Sequence, residues 1–124
     1  MDKYEKGLNK KSFSVYFNGG EIWAEHLDSL EDKEELVISK FTEDLKVIAK
    51  PSTSSFIAIN LDETVVTDNI MKLIVDSLIN LNKPLRKVVF VGLDSKFKRY
   101  IKKQSFPFQV ACIDDFEKAK EWLI

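Results

Sequence analysis

Polar side chains follow two short apolar stretches of the chain, at points where strands of a parallel sheet are expected to end. Open α/β sheets bind ligands beyond the carboxyl ends of their strands, where the first turns of helices present unpaired N–H donors. Residues of these types also cap helices without any other role, which is their commoner use. The candidate binding residues are Asp62, Thr64, Thr67, Asp68 and Asn69 after the first stretch and Gly92, Asp94 and Ser95 after the second.

Three of these side chains, Asp62, Asp68 and Asp94, are carboxylates, the ligands that Mg²⁺ prefers. A receiver-type site with Asp62 as the phosphoacceptor would need an acidic pair after the first parallel strand and a lysine after the last. Residues 16–18 and 111–113 supply neither of these. We therefore expect no metal ion and no other cofactor.

His26 is the only histidine in the chain, which excludes a histidine-rich zinc site. A serine or cysteine nucleophile would require this histidine as its base. Because His26 lies in a polar linker predicted over 25–32, far in sequence from Cys112, we interpret it as a surface residue. No catalytic residue is assigned, and we expect a protein that is not an enzyme.

The composition is that of one globular domain, with 124 residues, 44% of them hydrophobic and 31% charged. A single cysteine excludes an internal disulfide and fits a reducing compartment. Residues 1–11 are predicted to form a polar tail and residues 12–124 the domain. Since the sequence shows neither a secretory signal nor a run of about twenty apolar residues, we expect a cytoplasmic protein that does not insert into a membrane.

The charges are unevenly distributed along the chain. Nine acidic residues against two lysines lie in 21–44, and eight basic residues against one aspartate lie in 83–103. The basic residues form either a solvated face, the commoner case, or a patch for an anionic partner. Since no aromatic residues interleave with them in the RNA-binding manner, we expect no nucleic acid. The basic residues are Lys83, Arg86, Lys87, Lys96, Lys98, Arg99, Lys102 and Lys103.

The periodicity of apolar residues predicts an α/β fold. Alternation over 13–17 and 21–24, joined by Asn-Gly-Gly, predicts a β-hairpin. Three apolar strands, at 56–61, 88–91 and 108–113, then alternate with amphipathic helices, which implies parallel pairing. We expect a mixed, mostly parallel sheet of about five strands with about four helices, at 33–50, 67–82, 95–103 and 116–123.

The predicted helix over 67–82 has an apolar set that is wider than one stripe. Such a helix is either deeply buried in its own chain or covered by another chain. The sequence therefore predicts a protein partner, or self-association, through this helix. Its apolar residues are Ile70, Met71, Leu73, Ile74, Val75, Leu78, Ile79 and Leu81.

The stretch Ile-Ala-Ile-Asn-Leu-Asp at 57–62, followed by Val-Val-Thr-Asp at 65–68 and an apolar helix, resembles the STAS family. The ending at 113–123 is similar to the divergent, SpoIIAA-like branch of that fold. The family includes bacterial anti-sigma-factor antagonists and cytoplasmic domains of sulfate transporters. The resemblance implies an α/β fold and a regulatory, protein-binding role.

The family's phosphorylation switch has no counterpart in this sequence. In the antagonists, an Asp-Ser-Ser-Gly segment opens the helix, and phosphorylation of its second serine releases the partner. The matching residues here are Asp68, Asn69, Ile70 and Met71, so that isoleucine replaces the hydroxyl. We expect an interaction module without this switch, which binds through 62–71 and 92–95. The alternative is a domain that binds a small anionic ligand, a nucleotide or a lipid, at its helix N-termini.

Overall fold

The computed structural model of the protein describes residues 11–124, which form five strands and four helices. The strands follow one another across a single sheet in chain order. The first two pair antiparallel and the others parallel, which confirms the predicted α/β class. The elements are β1 (Phe13–Phe17), β2 (Gly20–His26), α1 (Glu34–Ile48), β3 (Phe56–Asn60), α2 (Asp68–Ile79), β4 (Lys87–Val91), α3 (Ser95–Lys103), β5 (Gln109–Cys112) and α4 (Phe116–Leu123).

β2 extends two residues beyond the strand that the sequence predicts over 21–24. Glu25 and His26 pair in register with Ile59 and Asn60 of β3, so they belong to the sheet and not to a linker. Successive residues of a strand point to opposite faces. The two polar side chains are therefore directed into different layers of the fold.

The two faces of the sheet are covered unequally. Helices α1, α2 and α3 pack on one face, in a core that includes Phe41, Ile74 and Phe90. Of the helices within residues 11–124, α4 packs on the other face, against Ala58 and Val89. Because β3 and β4 are covered from both sides, their sequences are almost entirely apolar.

The wide apolar set of α2 is buried within the chain itself. Five of its residues are buried, and Leu73 and Ile79 pack against the same core from partly exposed positions. Deep burial therefore accounts for the pattern, and no second chain is needed to cover the helix. Ile70 and Met71, predicted to bind a partner, are core residues with 0% and 1% of their surface exposed.

Three helices begin after a side chain that caps them. Each capping oxygen accepts a hydrogen bond from the N–H group three residues further on. α1 begins instead after Lys33, which makes no such bond. Among residues 11–124, no helix has the length and apolarity needed to cross a membrane. The three capping residues are Thr67, Asp94 and Asp115.

Candidate functional site

Gly92 and Asp62 meet where β3 and β4 end. Gly92 has a φ of +88°, in the left-handed region that favours glycine. A Cβ atom on Gly92 would lie 2.6 Å from Oδ1 of Asp62 and 2.7 Å from its backbone nitrogen. The loops that follow β3 and β4 therefore lie in direct contact, with no room for a side chain at residue 92.

Thr64 joins the loop after β3 to the loop after β2. Its hydroxyl donates a 2.6 Å hydrogen bond to the carbonyl oxygen of Leu27 and accepts one of 3.1 Å from the N–H group of Leu30. The N–H group of Ser29 donates to the carbonyl oxygen of Asp62 at 2.8 Å. The hydroxyl of Thr64 is thus engaged in holding two loops of this chain together.

Backbone strain is concentrated in these same two loops. Ser29, Glu31 and Glu63 have φ values of 61°, 52° and 55°, which is uncommon for residues with a side chain. Each such residue costs on the order of 1 kcal/mol or more and persists only where its surroundings hold it in place. The hydrogen bonds between the loops, including Glu31 N–H to the carbonyl oxygen of Glu63 at 3.1 Å, supply that restraint.

The starts of α2 and α3 are already capped and carry negative charge. Thr67 accepts from the N–H group of Ile70, and Asp94 accepts from that of Phe97 at 3.0 Å. Asp68, in the first turn of α2, adds a second carboxylate. Each cap uses one N–H group of the first turn, and an anionic ligand would meet the carboxylates of Asp68 and Asp94, so this arrangement disfavours anion binding at both helix starts.

A groove lies between the first turns of α2 and α3, and we call it the helix groove. At one end, Oδ1 of Asp68 forms an ion pair with Nζ of Lys96 at 3.0 Å across the two helices. The cavity has a volume of about 300 Å³, and its lining combines apolar surface with charged side chains. The lining residues are Asp68, Met71, Lys72, Phe97 and Tyr100.

The structure separates the predicted site residues into distinct environments. Asp62, Thr64 and Gly92 lie in the contacts between loops, while Ile70 belongs to the core. Of the predicted set, the helix groove brings together only Asp68 and Met71. The exposed residues Asn69, Asp94 and Ser95 lie at the starts of α2 and α3.

Glu25 is a buried carboxyl group that the sequence analysis did not single out. Its side chain is fully buried under α1, where Oε1 accepts a 2.9 Å hydrogen bond from Nε1 of Trp23. Burial, reinforced by Asp44, raises the pKa of Glu25 to about 9, so the group is protonated at neutral pH. If Glu25 were ionised, its Oε2 would have no hydrogen-bond partner within the described residues. In the protonated acid, the carboxyl group donates a hydrogen bond to Asp44.

Asp44 is the charged member of this pair. Burial alone raises its pKa, but hydrogen bonds from Glu25, Lys40 and Ser12 outweigh burial and hold the pKa below its usual value. Nζ of Lys40 lies 3.1 Å from Oδ2 of Asp44, and the hydroxyl of Ser12 lies 2.9 Å from the same oxygen. The cluster therefore ties β2, α1 and the residue before β1 together.

His26 is buried, not exposed as the sequence analysis expected. Its Nδ1 lies 3.0 Å from Oδ1 of Asp28, and the two side chains are 7% and 4% exposed. The imidazole packs between the rings of Phe13 and Phe116, with centroid distances of 5.6 and 5.5 Å. A histidine oriented by a carboxylate supplies two of the three members of a catalytic triad, but Cys112, the candidate nucleophile, lies on β5, separated from β2 by two strands.

The charge asymmetry of the sequence is only partly a property of the surface. Glu25 and Asp28 of the acidic segment are buried. In the basic segment, Nζ of Lys83 donates to three carbonyl oxygens at the end of α1 and beyond it, and Lys87 donates to the carbonyl oxygen of Trp122 in α4. The eight basic residues do not form one patch. Five of them lie on α3, where Lys96 and Lys98 form ion pairs with Asp68 and Asp114.

No protein-family profile, no curated protein and no solved structure matches this chain. Among residues 11–124, there is no group of three or more histidine, cysteine, aspartate or glutamate side chains placed to hold a metal ion.

Proposed function

We propose that this protein is a non-catalytic interaction module of the STAS type, which docks a protein partner at the helix groove. The observation that supports this proposal is the groove itself, where the half-buried ring of Tyr100 lies beside the charged residues Asp68 and Lys72, above the buried side chains of Met71 and Phe97. Protein-binding patches combine an apolar centre with a polar rim in this way. The groove also lies at the helix start where the STAS resemblance places partner binding.

The proposed module works without the serine switch. Ile70 occupies the position of the phosphorylated serine, and its side chain is directed into the core. Its neighbour Asn69 is exposed but has no hydroxyl group to receive a phosphate. The proposed module therefore has no hydroxyl group at the position where the antagonists are phosphorylated.

Affinity capture with charge-reversed variants tests this proposal. The tagged chain is incubated with lysate of the organism that encodes it, and Asp68→Lys and Lys72→Glu are compared with the original chain. Both residues are exposed, so neither change is expected to unfold the domain. Asp76→Lys, an exposed site further along α2 that does not line the groove, is the matched control.

We expect the two groove variants to lose a partner that Asp76→Lys retains. Capture that is equal for all four chains would contradict the helix groove as the docking site. If no partner is captured and a nucleotide or an anionic lipid raises the melting temperature, the alternative of a small-ligand domain replaces the proposal.

A further inference from the structure

β5 is an open edge of the sheet within the described residues. It pairs with β4 on one side, and no segment of residues 11–124 pairs with its other side. The N–H groups of Gln109 and Ile113 donate to carbonyl oxygens on the β4 side. Because backbone groups alternate between the two sides of a strand, those of Val110 and Cys112 are directed outward.

A second groove runs beside this edge, and we call it the edge groove. It has a volume of about 390 Å³ and lies between β5 and α3. Phe106 and Phe108, whose ring centroids are 5.3 Å apart, supply much of its apolar surface. Val110 and Cys112 also line it, so the same residues offer outward backbone groups and side chains to one ligand.

The wall that α3 contributes to this groove is positively charged. This nine-residue helix carries five basic residues and no acidic residue. Lys98 and Lys102 line the edge groove directly, and Nζ of Lys98 forms an ion pair with Asp114 at 2.7 Å. Because Asp114 already pairs with Lys98, an occupant of the groove would place a carboxylate beside the exposed Lys102.

We propose that the outer edge of β5 binds an extended acidic peptide segment of a partner protein, which adds a sixth strand to the sheet. Strand addition uses main-chain hydrogen bonds for affinity and side-chain pockets for specificity. Here the bonds come from Val110 and Cys112, the apolar pocket from Phe106 and Phe108, and the acidic preference from α3. A second copy fits poorly, since pairing two β5 edges would bring two positively charged α3 helices together.

This inference rests on the proposed function only in assuming a protein partner, because it uses a different surface. The probe is a fluorescein-labelled octapeptide, Glu-Thr-Val-Thr repeated twice, in which glutamate and valine fall on the same side of a strand. Fluorescence anisotropy measures its binding to the full chain. A peptide with lysine in place of glutamate is the matched control probe, and it is expected not to bind.

Two variants of the chain test the two parts of the contact. Lys102→Glu replaces an attraction with a repulsion and is expected to weaken binding roughly tenfold. Val110→Pro removes an outward N–H donor while keeping the N–H groups that face β4, and a comparable loss is expected. Lys118→Glu, an exposed site on α4 that does not line this groove, should leave the affinity unchanged. Thermal melting shows whether Val110→Pro is folded, and Lys102→Glu remains informative if it is not.

Three outcomes would overturn this inference: no binding of the acidic peptide, equal binding of both peptides, or a dimer of the chain that Val110→Pro dissociates. If the peptide tests fail but Asp68→Lys still abolishes capture of the partner, the proposed function stands and only the inference about β5 is overturned. If the chain binds the acidic peptide but every helix-groove variant captures the partner equally, only the proposal that the helix groove is the docking site would be contradicted.

Discussion

The indole Nε1 of Trp23 donates a 2.9 Å hydrogen bond to Oε1 of Glu25, two residues further along the same strand. Both side chains point to the face of the sheet that α1 covers, and both are buried. One carboxyl oxygen is satisfied by the indole, and the other faces Asp44 as a protonated acid. The surroundings of residue 25 therefore favour a neutral side chain.

We expect Glu25→Gln to stabilise the protein increasingly as the pH rises. The pKa of Glu25 is raised from 4.5 to about 9, so the folded state holds a proton that the unfolded state releases. The resulting contribution to stability is complete below pH 4.5 and is lost as the pH rises towards 9, by at most about 1.4 kcal/mol per pH unit. Glutamine is neutral throughout and can donate to Asp44 from the same place.

Urea denaturation at pH 5, 6, 7 and 8 measures this effect. The difference in unfolding free energy between Glu25→Gln and the original chain should widen with pH. Glu35→Gln, at an exposed glutamate in the first turn of α1, is the control and should show no such widening. If the unfolding free energies of Glu25→Gln and the original chain differed by the same amount at every pH, Glu25 would not be protonated in the folded state.

Gly92→Ala is expected to destabilise the protein by about 3 kcal/mol or more, because it combines left-handed strain with a steric clash. The new Cβ atom would lie 2.6 Å from Oδ1 of Asp62. Gly19→Ala separates the two causes, since Gly19 has a similar φ of +84° but nothing within 4 Å of an added Cβ atom. That variant should lose only about 1 kcal/mol. Equal losses in chemical denaturation would show that the contact with Asp62 is unimportant.

Lys83→Met is expected to cost about 1–3 kcal/mol and to loosen the end of α1. Nζ of Lys83 donates to the carbonyl oxygens of Ile48, Lys50 and Thr53 at 2.7, 2.9 and 2.7 Å. Amide hydrogen exchange should quicken in the last turn of α1 more than elsewhere in the helix. Lys46→Met, at an exposed lysine of the same turn, is the control. Unchanged exchange in Lys83→Met would mean that these bonds do not hold the helix end.

Ile70→Asp is expected to unfold the domain or to destabilise it by at least about 3 kcal/mol, because it buries a carboxylate in an apolar core. Asn69→Asp places the same charge one residue earlier, at an exposed position in the first turn of α2, where the helix dipole favours it. Circular dichroism melting should separate the two variants clearly. A stably folded Ile70→Asp would contradict the burial of this side chain in the core.

The sequence alone determined the elements and their order. The apolar runs at 56–61 and 88–91 predict strands buried on both faces, and helix caps such as Thr67 and Asp94 predict where helices begin. These features depend on residues within about four positions of one another, so the local pattern is sufficient. The same locality explains why the α/β class with its hairpin was predictable.

Only the tertiary structure decided which polar and charged groups are buried and what they bind. The sequence places Glu25 and His26 in a linker, and Lys83 in a basic segment that forms either a solvated face or a patch, because nothing nearby in the sequence marks their partners. Lys83 bonds to a carbonyl oxygen 35 residues away, and the Ser12–Asp44 bond spans 32 residues. The environment of such a group is set by which elements pack over it, and those contacts form only when distant parts of the chain come together.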